Sequence, residues 1–426
     1  MTSLRFCMVT TFYPPFNFGG DGIGVQRLSS ALARAGHQVT VVHDVDAFQA
    51  LSGRKPNREA EADGVEVVPL NSELGLVSPL LTQQTGRPLV NRRKIRRLFD
   101  ERRFDVINFH NVSLVGGPGV LSEGDAVKVY TAHEHWLVCP THVLWRHQRE
   151  LCTGRECVRC SLHYRRPPQL WRYTGYLERQ LSHVDAFIAK SRFSREKHRE
   201  FGFSRDMEVM PYFLPERTAD DAAPGGPSPH ARPFFLFVGR LESIKGLQDV
   251  IPAFREYPDA DLLIAGDGEY SEALRAMADG IDGVRFLGRV APGELRRYYE
   301  HALALIVPSI CYETFGIILI EAFREGTPVV ARRIGPFPEI LEKCPAGALF
   351  SSREELVVAL RRLQSDTEIR ATLGRVAREG FEEHWSESAV VPQYLDIVRR
   401  AAESAGKQDV AAALAAEPDL SREHIS

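Results

Sequence analysis

Two Rossmann-like α/β domains, each a doubly wound sheet, are what the sequence predicts, and three observations carry the prediction. Short apolar runs alternate with amphipathic stretches from residue 5 onward, the pattern of parallel strands joined by helical crossovers. A segment rich in Pro, Gly, Ala, Ser and Asp between Pro211 and Pro233 interrupts that alternation and buries too little to fold. At 426 residues, the chain also exceeds what one hydrophobic core normally serves. The expected layout is an N-terminal domain over 1–212 with a Cys-rich insertion near 139–163, a linker over 213–232, a second domain over 233–404 and a flexible tail over 405–426.

The elements follow in order. Arg5 to Val42 reads as strand, glycine-rich loop, amphipathic helix (Val25, Leu28, Ala31, Leu32, Ala35) and strand, with Gly36 at the helix C-cap. Further strands are predicted at Val65 to Pro69, Val106 to Phe109, Val127 to Thr131 and Ala186 to Ala189. After the linker the alternation restarts with strands at Phe234 to Val238, Asp261 to Ala265, Val284 to Leu287, Ala304 to Val307 and Pro328 to Ala331, and closing helices run from about Glu354 to Arg400.

Bulk chemistry narrows the function classes. Apolar residues at 44% and charged residues at 26% describe an ordinary globular chain. Lys plus Arg (53) nearly cancel Asp plus Glu (56), so a net charge of −3 predicts no nucleic-acid surface. The opening run Leu4 to Thr10 lacks the pattern of a signal peptide, and runs such as Ala302 to Val307 fall far short of the roughly 20 residues a bilayer requires, so a cytoplasmic protein is expected.

Chemistry concentrates after the linker. Phe235-Leu236-Phe237-Val238-Gly239-Arg240 is a strand ending in Gly and a cation, with Lys245-Gly246 five residues on at a helix start. Open α/β sheets bind ligands at strand C-termini, where a guanidinium with paired donors and a mobile ammonium can neutralise a diphosphate. Glu313-Thr314-Phe315-Gly316-Ile317-Ile318-Leu319-Ile320-Glu321 follows the strand ending at Val307. Eight residues separate the two carboxylates, about two helical turns, so a loop Glu313 places Glu321 inside the next helix and gives the two different tasks. One can accept bonds from sugar hydroxyls and the other can hold a ribose. The N–H groups of the first helical turn can receive phosphate, which leaves no need for a catalytic metal.

Joined to Gly239-Arg240, Lys245-Gly246 and Gly266-Asp267-Gly268, the Glu-x-Phe-Gly-x-x-x-x-Glu pattern resembles the retaining glycosyltransferases of family 4, over nearly the whole chain. The resemblance implies a GT-B fold, two Rossmann-like domains facing each other across a cleft, and transfer of a sugar from a nucleotide diphosphate sugar to a hydroxyl of a glycan, lipid-linked or natural-product acceptor. It implies that Arg240 and Lys245 bind the diphosphate, Glu313 the sugar hydroxyls and Glu321 the ribose, that Thr314, Phe315, Gly316 and Ile317 form the phosphate-binding segment, and that Gly266, Arg289 and Val290 contact the donor. Gly19 and Gly20, between the first strand and helix, match a loop that closes over the donor phosphates. His110 and His133 end two strands, and the resemblance makes His133, ahead of His110, the donor-sugar or acceptor contact. Arg240, Lys245, Glu313 and His133 are thus the catalytic candidates.

Four further features add expectations. Cys139, Cys152, Cys157 and Cys160 have the C-x12-C-x4-C-x2-C spacing of a structural zinc site, with unpaired thiols as the plain alternative. Asn91 to Phe99 is a basic stretch with apolar residues at helical spacing, either a solvated helix or a peripheral contact with the anionic inner face of a membrane. Asp44, after the second strand, keeps a dehydrogenase reading open, and Asp44-Val45-Asp46 mimics a metal-binding DxD but reads as a polar loop. A nucleotide-sugar epimerase on the same fold and a noncatalytic nucleotide-binding protein are the rival functions, and fold alone does not choose among them.

Overall fold

The computed structural model describes residues 3–54, 56, 64–217, 226–257 and 259–416. It divides into two compact units, Met1–Pro215 with Glu387–Ser426, and Glu216–Ser386.

The first unit is built on strands β1 (Arg5–Val9), β2 (Gln38–Asp44), β3 (Val65–Leu70), β4 (Val106–Phe109) and β5 (Val127–Ala132), a two-residue hairpin β6 (Trp145–Arg146) and β7 (Glu150–Leu151), and then β8 (Ala186–Ala189) and β9 (Glu208–Val209). Apart from the hairpin, these form one parallel sheet in the order β3-β2-β1-β4-β5-β8-β9. Alternation along each strand fills two cores: Phe6, Met8, Val39, Val41, Val127 and Val129 face one, while Cys7, Val9, Val42, Tyr130 and Ala132 face the other.

The second unit carries β10 (Phe234–Val238), β11 (Asp261–Ala265), β12 (Val284–Gly288), β13 (Leu305–Val307), β14 (Val329–Arg332) and β15 (Gly347–Phe350), all parallel, in the order β12-β11-β10-β13-β14-β15. Phe235, Phe237, Leu262, Ile264 and Ile306 pack one core, and the intervening Leu236, Leu263 and Val329 are as deeply buried. In each unit the strand order reverses once, between β1 and β4 and between β10 and β13. At such a reversal neighbouring loops diverge and leave room at the C-terminal edge.

Several sequence expectations are corrected. The closing helices do not all belong with the second domain: Glu387–Ser404 and Gln408–Ala415 pack in the first unit, where Val390, Val391, Tyr394, Leu395, Val398, Val410 and Leu414 join the core of Phe6, Met8 and Leu28. Asn108 Nδ2 on β4 donates to the Tyr394 hydroxyl at 3.1 Å inside that core, and Thr131 on β5 donates to Asn108 Oδ1 at 3.1 Å. The tail expected from 405 instead carries the helix Gln408–Ala415, whose Val410, Ala411, Ala413 and Leu414 are buried, while 417–426 lie outside the described residues. Of the linker expected over 213–232, Phe213 and Leu214 are buried, and 218–225 lie outside the described residues. The glycine loop is also shorter than expected: the helix Gly20–Arg34 begins at Gly20 with Gly19 as its N-cap, so Gly22 and Gly24 are helical.

The basic stretch forms the helix Arg92–Arg102, which turns Ile95 and Phe99 into the core. Arg92 and Arg96 both pair with the buried Glu123, and Arg97 pairs with Glu101. Its apolar side is thus covered by the protein itself. Among the described residues no helix is long and apolar enough to cross a membrane.

Replacing Tyr394 with Ala removes a buried ring and its bond to Asn108, and should lower the stability of the first unit by about 3–5 kcal/mol; Tyr394→Phe should lower it by about 1 kcal/mol. Urea unfolding of the two variants against the parent measures both.

Candidate functional site

At the reversal in the second sheet, β10 delivers Gly239-Arg240 and β13 delivers the loop from Pro308 to Gly316. The Lys245 segment, a 3-10 turn over Ser243–Lys245, is stitched to that loop by Ile310 N–H bonding to Ile244 O at 2.9 Å. Gly246 makes the approach feasible. Its φ is +77°, and a Cβ there would lie 2.0 Å from Pro308 O, so no other residue fits without moving the loop.

Lys245 Nζ then donates to Glu313 Oε1 at 2.6 Å, and Ser309 Oγ donates to the same oxygen at 3.0 Å. Both side chains are only about a fifth to a quarter exposed. Burial alone pushes the Glu313 carboxyl up, but Lys245, Ser309 and Arg240 outweigh it and hold the group below the usual carboxylate range. Burial pulls the Lys245 ammonium down, and the Glu313 charge and bond outweigh that, so it lies above its usual value. Both groups are charged at neutral pH. Arg240 is more exposed and pairs with Glu242 at 2.6 Å.

The remaining donor candidates line the same C-terminal edge. Gly266 follows β11, and its N–H bonds to Gly288 O at 2.7 Å; Arg289 and Val290 follow β12, with Arg289 reaching Asp267 at 3.8 Å and largely exposed. Phe315 is buried at 3% exposure, so only its backbone can face a ligand, and Gly316 is the N-cap of the helix Ile317–Glu325, with Thr314 beside it. Glu321 lies one turn into that helix, where the Tyr299 hydroxyl donates to its Oε2 at 3.1 Å. The sequence brings Arg240, Lys245 and Glu313 together as expected. Ser309 and Tyr299 were missed; a serine four residues before Glu313 is a readable signal, but nothing local in the sequence links Tyr299 to Glu321.

In the first unit His110 and His133 do meet. His110 Nδ1 and His133 Nε2 are 2.8 Å apart, and His133 Nδ1 is 2.5 Å from the Tyr212 hydroxyl. Helix residue Gly24 admits Tyr212, since a Cβ there would lie 2.4 Å from its ring. Burial holds His110 down to about 3 and His133 well below its usual value, so both rings are neutral. Burial also pulls the Lys190 ammonium down to about 7, where it lies 4.8 Å from the Tyr212 ring centroid. A small cavity opens among Gly24, His110, His133, Lys190 and Tyr212. His133 thus has both ring nitrogens engaged within the protein. Gly19 and Gly20 lie at the start of the helix that carries Gly24.

Other calls part from the geometry. The polar loop expected at Asp44-Val45-Asp46 is a helix start: Asp44 caps the helix Val45–Ser52 by accepting from Ala47 N–H at 2.9 Å, and Asp46 accepts from Ser72 N–H and Oγ. The four cysteines are unpaired thiols, and burial together with the charge of neighbouring cysteines pushes Cys152, Cys157 and Cys160 up. Three of them take a hydrogen bond: Cys139 with Thr141, Cys152 with Gly154 O and Cys160 with His147 N–H. Among the described residues no group of three or more His, Cys, Asp or Glu side chains is arranged to hold a metal ion.

Two family models divide the chain between them. Residues 18–217 match the model described as Glycosyltransferase Family 4, and residues 220–380 match that described as Glycosyl transferases group 1. The chain belongs to glycosyltransferase family 4. This glycosyltransferase is 34% identical over 158 residues to a sulfoquinovosyl transferase of Arabidopsis thaliana, a match covering 36% of the chain and only 31% of that relative's length. It is 28% identical over 412 residues to glycogen synthase of Mycobacterium tuberculosis, covering 88% of the chain and 90% of the relative. Among solved structures, sucrose-phosphate synthase from Thermosynechococcus elongatus is similar with a TM-score of 0.72 at 21% identity, covering 93% of this chain and 98% of that one, which places the fold as GT-B.

Two outcomes follow. Lys245→Met strips Glu313 of its strongest partner, so its carboxyl should rise and the second unit should lose about 1–3 kcal/mol at neutral pH. In the parent the Glu313 contribution is lost as pH falls through its lowered value, and that of Lys245 as pH rises through its raised one, so the deficit of Lys245→Met in chemical unfolding should shrink at both extremes. In the first unit the unfolded chain takes up protons on His110 from about pH 6.5 downward while the folded chain does not until about 3. Stability should therefore fall on acidification through that window, by on the order of 1 kcal/mol per pH unit for each such histidine, and His110→Asn should make the fall shallower.

Proposed function

We propose that this chain is a retaining glycosyltransferase that moves a sugar from a nucleotide diphosphate sugar to an acceptor hydroxyl. One observation carries the reading: at the reversal between β10 and β13 a charged Lys245–Glu313 pair is held next to Arg240. Cations and a fixed carboxylate at one strand edge suit a ligand that is anionic at one end and rich in hydroxyls at the other.

In this reading Arg240 and Lys245 neutralise the diphosphate, and the N–H groups that follow Gly316 receive phosphate oxygens. Both bonds to Glu313 end on Oε1, which presents Oε2 to a sugar hydroxyl. Glu321 takes the ribose. The bond between the anomeric carbon and the phosphate oxygen breaks with its electron pair leaving on the diphosphate. The acceptor oxygen bonds the same face of the sugar, and its proton passes to the departing phosphate oxygen. No side chain has to act as a strong base, which fits a His133 that is neutral and engaged on both nitrogens; its part is to place the loop that follows β5. What the enzyme supplies is fixed positive charge where negative charge develops.

Thermal shift of the purified chain against UDP, GDP, ADP, CDP and dTDP and their sugar conjugates tests the donor site. One nucleotide should stabilise the chain selectively, and Arg240→Ala/Lys245→Ala should abolish the shift; either single replacement should lower kcat/KM by about 10²–10³-fold. Product NMR should show the anomeric configuration of the donor. Stabilisation by none of these ligands would overturn the reading, and conversion of free donor to an isomer without acceptor would favour an epimerase.

A further inference from the structure

The helix Pro292–His301 is fastened to the helix Ile317–Glu325 and its C-terminal end at points that follow Glu321. Thr327 Oγ1 donates to Tyr299 O at 2.6 Å just beyond the second helix. Glu325, one turn after Glu321 and almost fully buried, meets Arg296 Nε at 3.5 Å from the first helix and Arg324 Nε at 3.2 Å. The Tyr299 ring is buried at 3% exposure, and its hydroxyl donates to Glu321 Oε2 at 3.1 Å, one turn before Glu325. The hydroxyl keeps its proton at every working pH, because burial and then the Glu321 charge raise it far above the usual tyrosine range. It is therefore a permanent donor, set by two packed helices, to a carboxylate that is itself only partly buried.

We infer that Tyr299 is a positioning residue for donor recognition: its hydroxyl fixes the carboxylate of Glu321 in the orientation that accepts the ribose hydroxyls of the nucleotide. The inference rests on the ribose role given to Glu321 above. A glutamate on a helix surface has three rotatable bonds, and every ribose contact must otherwise be bought from that freedom. A hydrogen bond from a neutral donor to a carboxylate is among the stronger kind, and here it comes from a ring that cannot move without unpacking the helix pair. Tyr299 itself touches no substrate in this account. It acts on selectivity, since an ordered carboxylate rewards a ligand that offers hydroxyls and leaves one that lacks them with an unmatched acceptor.

The test uses the full chain and isothermal calorimetry with the matched pairs UDP and 2′-deoxyUDP, ADP and 2′-deoxyADP, and GDP and 2′-deoxyGDP, read on whichever pair binds. The parent should prefer the ribonucleotide. Tyr299→Phe, which keeps the ring and loses only the hydroxyl, should shrink that preference by roughly three- to tenfold, and in turnover should raise the donor KM with kcat nearly unchanged. Added to Glu321→Ala, it should change the preference no further. A purely structural role would weaken both members of a pair equally and add to Glu321→Ala, and the ratio is insensitive to partial loss of folded protein. If Glu321→Ala loses the preference and Tyr299→Phe retains it in full, the inference is wrong and the ribose role stands. If Glu321→Ala retains it, the ribose role falls and takes the inference with it.

Discussion

Parallel strands feed helices onto both faces of a sheet, so neither face of these two sheets is open to a ligand, and polar chemistry is confined to the edge where the strands end. The site proposed to bind the donor follows from that confinement. Gly239, Arg289 and Ser309 each follow the end of a different parallel strand, so the loops that carry Arg240, Arg289 and Glu313 leave on one side. The order reversal between β10 and β13 then parts two of those loops, and Gly246 lets the Lys245 segment close back on Pro308. An ion pair that would contribute little on an open surface is thereby held at 2.6 Å in a partly buried place.

What the sequence made legible is what short-range pattern encodes. Apolar runs located the long strands within a residue or two, because a strand buried on both faces must be apolar throughout. Glu313 and Glu321 were readable because one helix fixes the distance between them. The strands that escaped notice are short: the hairpin Trp145–Arg146 and Glu150–Leu151, and Glu208–Val209 and Gly347–Phe350, which open on a charged residue and a glycine. The helix Glu387–Ser404 was recognised as a helix but given to the wrong unit, since its amphipathic pattern states that one side is buried and not against what.

The two missed partners in the second unit show the same limit. Ser309 could be guessed from its place beside Glu313, whereas Tyr299 is joined to Glu321 only through the packing of two helices. The cysteine spacing shows proximity and not partners. Cys139 acts by its charge on Cys152, Cys157 and Cys160, so residues up to 21 positions apart lie near one another, while Thr141, Gly154 and His147 bond the sulfurs of Cys139, Cys152 and Cys160. His133 was placed at a strand end, but neither its contact with His110 nor Tyr212, 79 residues along the chain, which engages its second nitrogen, was in view.

The return of Glu387–Ser404 and Gln408–Ala415 to the first unit has a consequence for the order of events at the ribosome. The second unit is one uninterrupted stretch, Glu216–Ser386, and has its whole sequence available as soon as that stretch has emerged. The first unit, although translated earlier, lacks Val390, Tyr394 and Val398 of its core until nearly the entire chain has been made. Synthesis runs from one end, but the earlier-born unit is the later to be completed, and in the interval it presents an unfilled apolar face that chaperones can bind.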